Sequence, residues 1–227
     1  MVFLLLSLAI MLIAVIVAVI MKTNGDKSFI GVFSFVFIPL MLLNTFFNSI
    51  AYTSICDRKV QTWLNQPQPG YVSNGLQFMM PMFDTESFNV CRRQVEFTGE
   101  ETLKGTAKGG MQIEIMDAVI PIRLLPDHLW RVRSLIGGEF ELFQILNGSA
   151  RSAGRIVQSQ YEWRDLVYSK RNEIEIAFSK ELMKRLTIDL VGAGLTSEEA
   201  ENVFVIPEVR LRDVKPSQSI LDEQGNY

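Results

Sequence analysis

One histidine and two cysteines are all that this 227-residue chain holds of the side chains that most often bind metals or act as nucleophiles. The lone imidazole, His128, excludes a multi-histidine metal site within one chain. It stands in Leu125-Pro126-Asp127-His128-Leu129-Trp130, a turn leading into a helix, where a helix-start role accounts for it. Cys56 and Cys91 are too few for a disulfide framework and too far apart in sequence for a zinc knuckle, so they read as reduced thiols. Cys56 reads as a plain membrane-edge residue, with acylation the other use of a thiol in that place. Missing too are Gly-x-Gly-x-x-Gly, the phosphate loop Gly-x-x-x-x-Gly-Lys-Ser/Thr and Gly-x-Ser-x-Gly. Basic residues are not in excess: 22 Lys and Arg face 25 Asp and Glu, for a net charge of −3, which gives no electrostatic footprint for nucleic acid. The carboxylates follow solvated faces and form no spaced metal cluster. The expectation is a chain that is not an enzyme, with no catalytic residue, cofactor or metal.

What is present opens the chain. Val2–Met21 is built of Val, Leu, Ile, Ala, Met and Phe broken only by Ser7, and Ser28–Ile55 is equally free of charge. Twenty residues at about 1.5 Å each cross roughly 30 Å of hydrocarbon. A secretory signal has a shorter apolar core, a basic start and a small-x-small cleavage site, none of which is visible. A retained helix is expected, anchored through Leu4, Leu5, Leu6, Ile10, Leu12, Ile13 and Val15. The second stretch contributes Phe33, Phe35, Phe37, Leu40 and Leu43, with Pro39 in its middle and Asn44 and Asn48 towards its end. Proline removes a donor and kinks a helix, a loss that neighbours repair within membranes. The segment either crosses or re-enters. Two crossings joined by Lys22–Lys27 make a helical hairpin that returns the large domain to the side of the N-terminus. Lys22 and Lys27 oppose Asp26, and Arg58 and Lys59 oppose Asp57, so the positive-inside bias is nearly balanced. The reading leans to the cytoplasmic side, because a short loop is easier to translocate than a folded domain.

The remaining residues, about 172 from Cys56 onward, suffice for one sizeable core or two small subdomains. Their net charge is −4, since the anchor region carries one net positive charge of the total −3. Pro69-Gly70 and Asn74-Gly75 signal turns, after which Leu76, Phe78 and Met80 alternate as a short strand against a core, the alternative being an exposed, Met-rich surface that touches lipid. Val90–Leu103 and the run Met111–Leu124 read as paired antiparallel strands, with Gly105–Gly110 as a turn and Pro121 at an edge or a bulge. Leu142, Ile145, Leu146, Ala150, Ala153, Ile156 and Val157 mark an amphipathic helix. A second begins near Arg164-Asp165, carries Ile174, Ala177, Phe178, Leu182, Leu186 and Leu190, and ends at Gly192 and Gly194. Val203–Val214 is the last strand. The fold class is α+β, an antiparallel sheet with packed helices. The division is 1–55 anchor, 56–124 strand-rich, 125–220 helix-rich with a closing strand, and 221–227 tail.

These residues also resemble a family. Pro69-Gly70 and Gly75-Leu76-Gln77-Phe78-Met79-Met80-Pro81-Met82-Phe83-Asp84 are similar to the early turn-strand pattern of the SPFH, or band 7, domain of stomatins, prohibitins and flotillins. Arg151-Ser152-Ala153-Gly154-Arg155, Tyr161 and Ser169-Lys170-Arg171-Asn172-Glu173-Ile174 resemble its two helices, and Val209-Arg210-Leu211-Arg212-Asp213-Val214-Lys215 resembles its closing strand. The matches keep their order over roughly Val60–Ile220. Asn89-Val90-Cys91-Arg92-Arg93-Gln94 departs from the usual Asp-x-Arg-x-Gln arrangement, which puts any contact of that aspartate in doubt. The family continues into a charged coiled coil, so this is either a minimal member or one whose tail follows residue 227.

The resemblance implies an SPFH-like domain behind N-terminal transmembrane helices, assembling as a homo-oligomer of many copies into a ring or cage that delimits a membrane microdomain. A related second subunit and a membrane protease client are further implied partners. The helices would supply the lateral contacts through Arg151, Arg155, Arg171, Glu173, Lys180 and Glu181, with Arg210 and Arg212 on the closing strand. The alternative is an accessory subunit that restrains a membrane protease, or another membrane complex, without closing a ring.

Overall fold

The computed structural model describes residues 49–79 and 83–217. The anchor side chains named above lie outside them. Among the described residues no helix is long and apolar enough to cross a membrane. The chain forms two compact units.

The first unit contains β1 (Ile50–Thr53) and β4 (Gly75–Phe78), paired antiparallel with Ile50 opposite Phe78 and Tyr52 opposite Leu76. A strand therefore takes residues from the end of the second apolar stretch. Leu76 and Phe78 were expected against a core, yet they are 72% and 66% exposed. The alternation was real, but period two separates two faces without saying which one is covered.

The second unit holds all the other elements. Asp57–Trp63 (β2) joins Gln66–Pro67 (β3) on one side and Asp84–Asn89 (β5) on the other. Leu64 and Asn65 form the two-residue turn between β2 and β3, with φ of 48° and 65°. Positive φ at both central positions suits Asn and Gly, whereas leucine is strained there. Leu64→Asn is expected to raise stability by about 1 kcal/mol in urea unfolding; an unchanged midpoint would mean that the turn differs in solution.

The larger sheet is organised by Gln112–Leu124 (β8), a strand of 13 residues. Arg93–Phe97 (β6) and Gly105–Thr106 (β7) pair with it, as do Phe204–Val205 (β9) and Arg210–Pro216 (β10). All of these pairs are antiparallel. Pro121 sits where the ladder to β10 has ended at Val119 and the one to β9 has yet to begin at Arg123. That gap is a local edge. The expected single strand Val203–Val214 is instead β9 and β10, separated around Pro207, which has no N–H to give a ladder. Val205 is consequently 42% exposed while Phe204 turns inward.

The helices follow as Leu129–Leu135 (α1), Glu139–Gln160 (α2), Arg171–Gly192 (α3) and the short Ser197–Glu201 (α4). His128 occupies the position before α1, and its carbonyl accepts from the N–H groups of Arg131 and Val132, both at 3.0 Å. Most of each stripe read in the sequence faces inward: Leu142, Leu146, Ala150, Ala153 and Val157 on α2, and Ile174, Phe178, Leu182, Leu186 and Leu190 on α3, are buried, while Ile145, Ile156 and Ala177 at the margins are half-buried. One core cluster takes Val60, Phe88 and Ile120 together with these helix residues. The boundary at 124/125 thus separates strands from helices within a shared interior. At the start of α2, Glu139 accepts the Asn89 N–H (2.7 Å) and pairs with Arg93 (2.6 Å), whose guanidinium lies 3.9 Å from the centre of the Phe143 ring. Gly105 packs so closely on the buried Gln158 that an added Cβ would collide with its Oε1.

The expectation of reduced thiols is overturned. Cys56 and Cys91 form a disulfide, with Cα atoms 4.9 Å apart. Neighbouring strands bring together two positions that sequence distance separates.

Candidate functional site

Among the described residues no group of three His, Cys, Asp or Glu side chains is placed to hold a metal ion. What the structure does gather is the set of segments from helix α2 to the closing strand. Between α2 and α3 the chain makes a π turn at Asp165–Ser169, closed by the Lys170 N–H donating to the Asp165 carbonyl. Ser169 Oγ donates to Asp165 Oδ1 (2.8 Å), and Lys170 Nζ lies 3.3 Å from Oδ2. The Ser169 bond, with Lys170 second to it, holds the Asp165 carboxyl below its ordinary 3.8, and the same aspartate raises Lys170. Tyr161 donates to Glu173 over 3.4 Å, and its hydroxyl is pushed up by burial first and by Glu173 next.

A depressed carboxyl lends stability that is present well above pH 3.8 and lost as pH falls through the lower folded-state value. Asp165→Asn should therefore lower the melting temperature near neutrality and bring it closer to wild type in acid. A constant offset across the acid range would remove Asp165 as the cause.

From this corner α3 runs along β10. Arg171, Glu175 and Ser179, four residues apart, share one helical stripe. Glu175 Oε1 accepts the Leu211 N–H (2.8 Å), Ser179 Oγ accepts the Val209 N–H (2.8 Å), and Arg171 Nη2 donates to the Arg212 carbonyl (3.1 Å). Three side chains thus satisfy backbone groups at the start of the closing strand that would otherwise offer a template for another strand. Arg212 reaches across β8 to Glu96, with contacts of 3.1 and 3.3 Å.

The eight candidate contact residues divide on this geometry. Arg171 and Arg212 are engaged as described, Glu173 accepts from Tyr161, and Glu181 pairs with Arg185 at 3.0 Å and Lys184 at 4.0 Å. Arg151, Arg155, Lys180 and Arg210 are exposed, with no ion pair among the described residues. Sequence reasoning did not single out Glu175 and Ser179; their spacing from Arg171 was visible, but their partners at the closing strand lie 36 and 30 residues away. It also passed over exposed apolar side chains, Ile176 (55%) and Ile188 (51%) on α3 and Phe140 (70%) on α2. Ile176, Lys180, Lys184 and Ile188 form one exposed stripe at four-residue spacing.

No protein-family profile matches the chain, and no curated protein matches it.

Proposed function

We propose that the chain is a membrane-anchored scaffold of the SPFH, or band 7, type, whose copies associate side by side into a large ring or cage and delimit a patch of bilayer. The observation that carries this reading is the meeting of the resembling segments: the start of α3 binds the start of β10 through Arg171 and Glu175, the π turn lies beside that strand, and all three contain family-like residues. Because α3 side chains occupy backbone groups of β10, copies would join through helix faces in preference to strand addition at that point. The exposed stripe Ile176-Lys180-Lys184-Ile188 combines apolar area with the charge of Lys180, which has no ion pair among the described residues, the composition of a contact that also needs an acidic partner surface. Fixing copies to a membrane in a common orientation raises their effective concentration, so a modest interface suffices. Head-to-tail contacts close into a ring when the rotation between neighbours closes.

The test is the mass and shape of the full chain extracted in mild detergent, seen by electron microscopy. Rings or cages of many copies are expected from wild type. Ile188→Asp combined with Lys180→Glu should reduce them to small particles while leaving the circular dichroism spectrum unchanged. A wild-type monomer or small complex would instead favour the accessory subunit of a membrane protease.

A further inference from the structure

The second unit contains a covalent bridge that bears on which side of the membrane it occupies. Cys56 lies just before β2, and Cys91 lies in the bend between β5 and β6. The Val90 N–H donates to the Cys56 carbonyl at 2.7 Å, and the Cys91 N–H donates to the Asn89 side-chain Oδ1 at 3.0 Å, so a hydrogen bond holds each cysteine's main chain. Their Cα separation of 4.9 Å lies within the range that a disulfide spans without backbone movement. These are the only two cysteines in the chain, and the bridge uses both. Such bonds persist in secreted, periplasmic, lumenal or cell-surface settings, whereas cytosolic thiol pools keep cysteines reduced. The charges beside the apolar stretches are too evenly balanced to oppose this.

We propose that the folded domain lies on the oxidising side of its membrane, in place of the cytoplasmic side towards which loop length leaned. This rests on the anchored reading of the chain, but not on the scaffold reading. Formation of the bridge takes two protons and two electrons from the two thiols. The acceptor is the disulfide of a thiol–disulfide oxidase in that compartment: one cysteine thiolate attacks it to form a mixed disulfide, the other displaces the oxidase, and the oxidase leaves as a dithiol.

The experiment uses the full chain in the membranes of expressing cells, quenched with acid and alkylated with a maleimide-linked polymer before or after reduction. No gel shift is expected before reduction and a two-step shift after it, while Cys56→Ser with Cys91→Ser shows neither. In parallel, protease added to the oxidising face of intact membranes should degrade the domain. A two-step shift without reduction, or a domain protected until the membrane is permeabilised, overturns the proposal. Carbonate extraction reports separately on the anchor: release into the soluble fraction overturns the anchored reading and the side assignment with it, whatever the alkylation shows about the bridge.

Discussion

Cys56→Ser combined with Cys91→Ser is expected to lower the unfolding free energy by about 3–4 kcal/mol, the chain-entropy value for a loop of this length. The bridge joins residues 35 apart in sequence, so the intact cross-link removes many open conformations from the unfolded chain. The effect acts largely on the unfolded state. Serine leaves the β2 and β5 neighbourhood with its backbone bonds, among them the one from Val90 to Cys56, and the native fold should survive. Trp63, Trp130 and Trp163 are the only three tryptophans, and all are partly buried in this unit, so their fluorescence reports its unfolding in urea. Two further signs separate a cross-link from a packing effect. Wild type with reductant should match the double variant, and the urea dependence should steepen once the unfolded chain can expand. A loss under about 1 kcal/mol would mean that the reduced chain stays restrained without the bond.

That bond shows where sequence reasoning reaches its limit. Two cysteines separated by 35 residues carry no distance information; proximity arises only when β2 and β5 become neighbours in one sheet. Those strands were themselves hard to read, because Asp57–Trp63 buries only Val60 and Thr62, and Asp84–Asn89 only Phe88. The helices were legible for the opposite reason. Leu142, Leu146, Ala150, Ala153 and Val157 repeat often enough along α2 to fix both its period and its inner face. Helix α4 had a signal that went unused: Thr196 and Glu199 form a capping box, with the Glu199 N–H donating to Thr196 Oγ1 and the Thr196 N–H to Glu199 Oε2. For the candidate site, charge on the wet faces of the helices was visible, yet its division into engaged and free groups was not. Arg171 and Arg212 look like Arg151 and Arg155 in sequence; only the meeting of α3, β10 and β6 separates them.

Phe178→Ala should cost about 3–5 kcal/mol, whereas Ile176→Ala, two residues earlier on the same helix, should cost within about 0.5 kcal/mol. Phe178 is 0% exposed in the shared core, so truncation removes a ring from close packing and leaves a cavity that α2 and the sheet cannot fully close. Ile176 is 55% exposed on the outer stripe with Lys180 and Ile188, where losing methyl groups disturbs little inside the subunit. The two faces of α3 therefore make opposite predictions for two measurements. On the proposed assembly, the inner face governs urea midpoints and the outer one particle size in detergent. If Ile176→Ala and Ile188→Ala leave the midpoint unchanged but shrink the particles, the outer stripe is an assembly contact. If both measurements stay unchanged for the outer pair while Phe178→Ala shifts the midpoint as expected, α3 is a core helix only, and lateral contacts must lie elsewhere, with Arg151 and Arg155 on α2 the next residues to reverse.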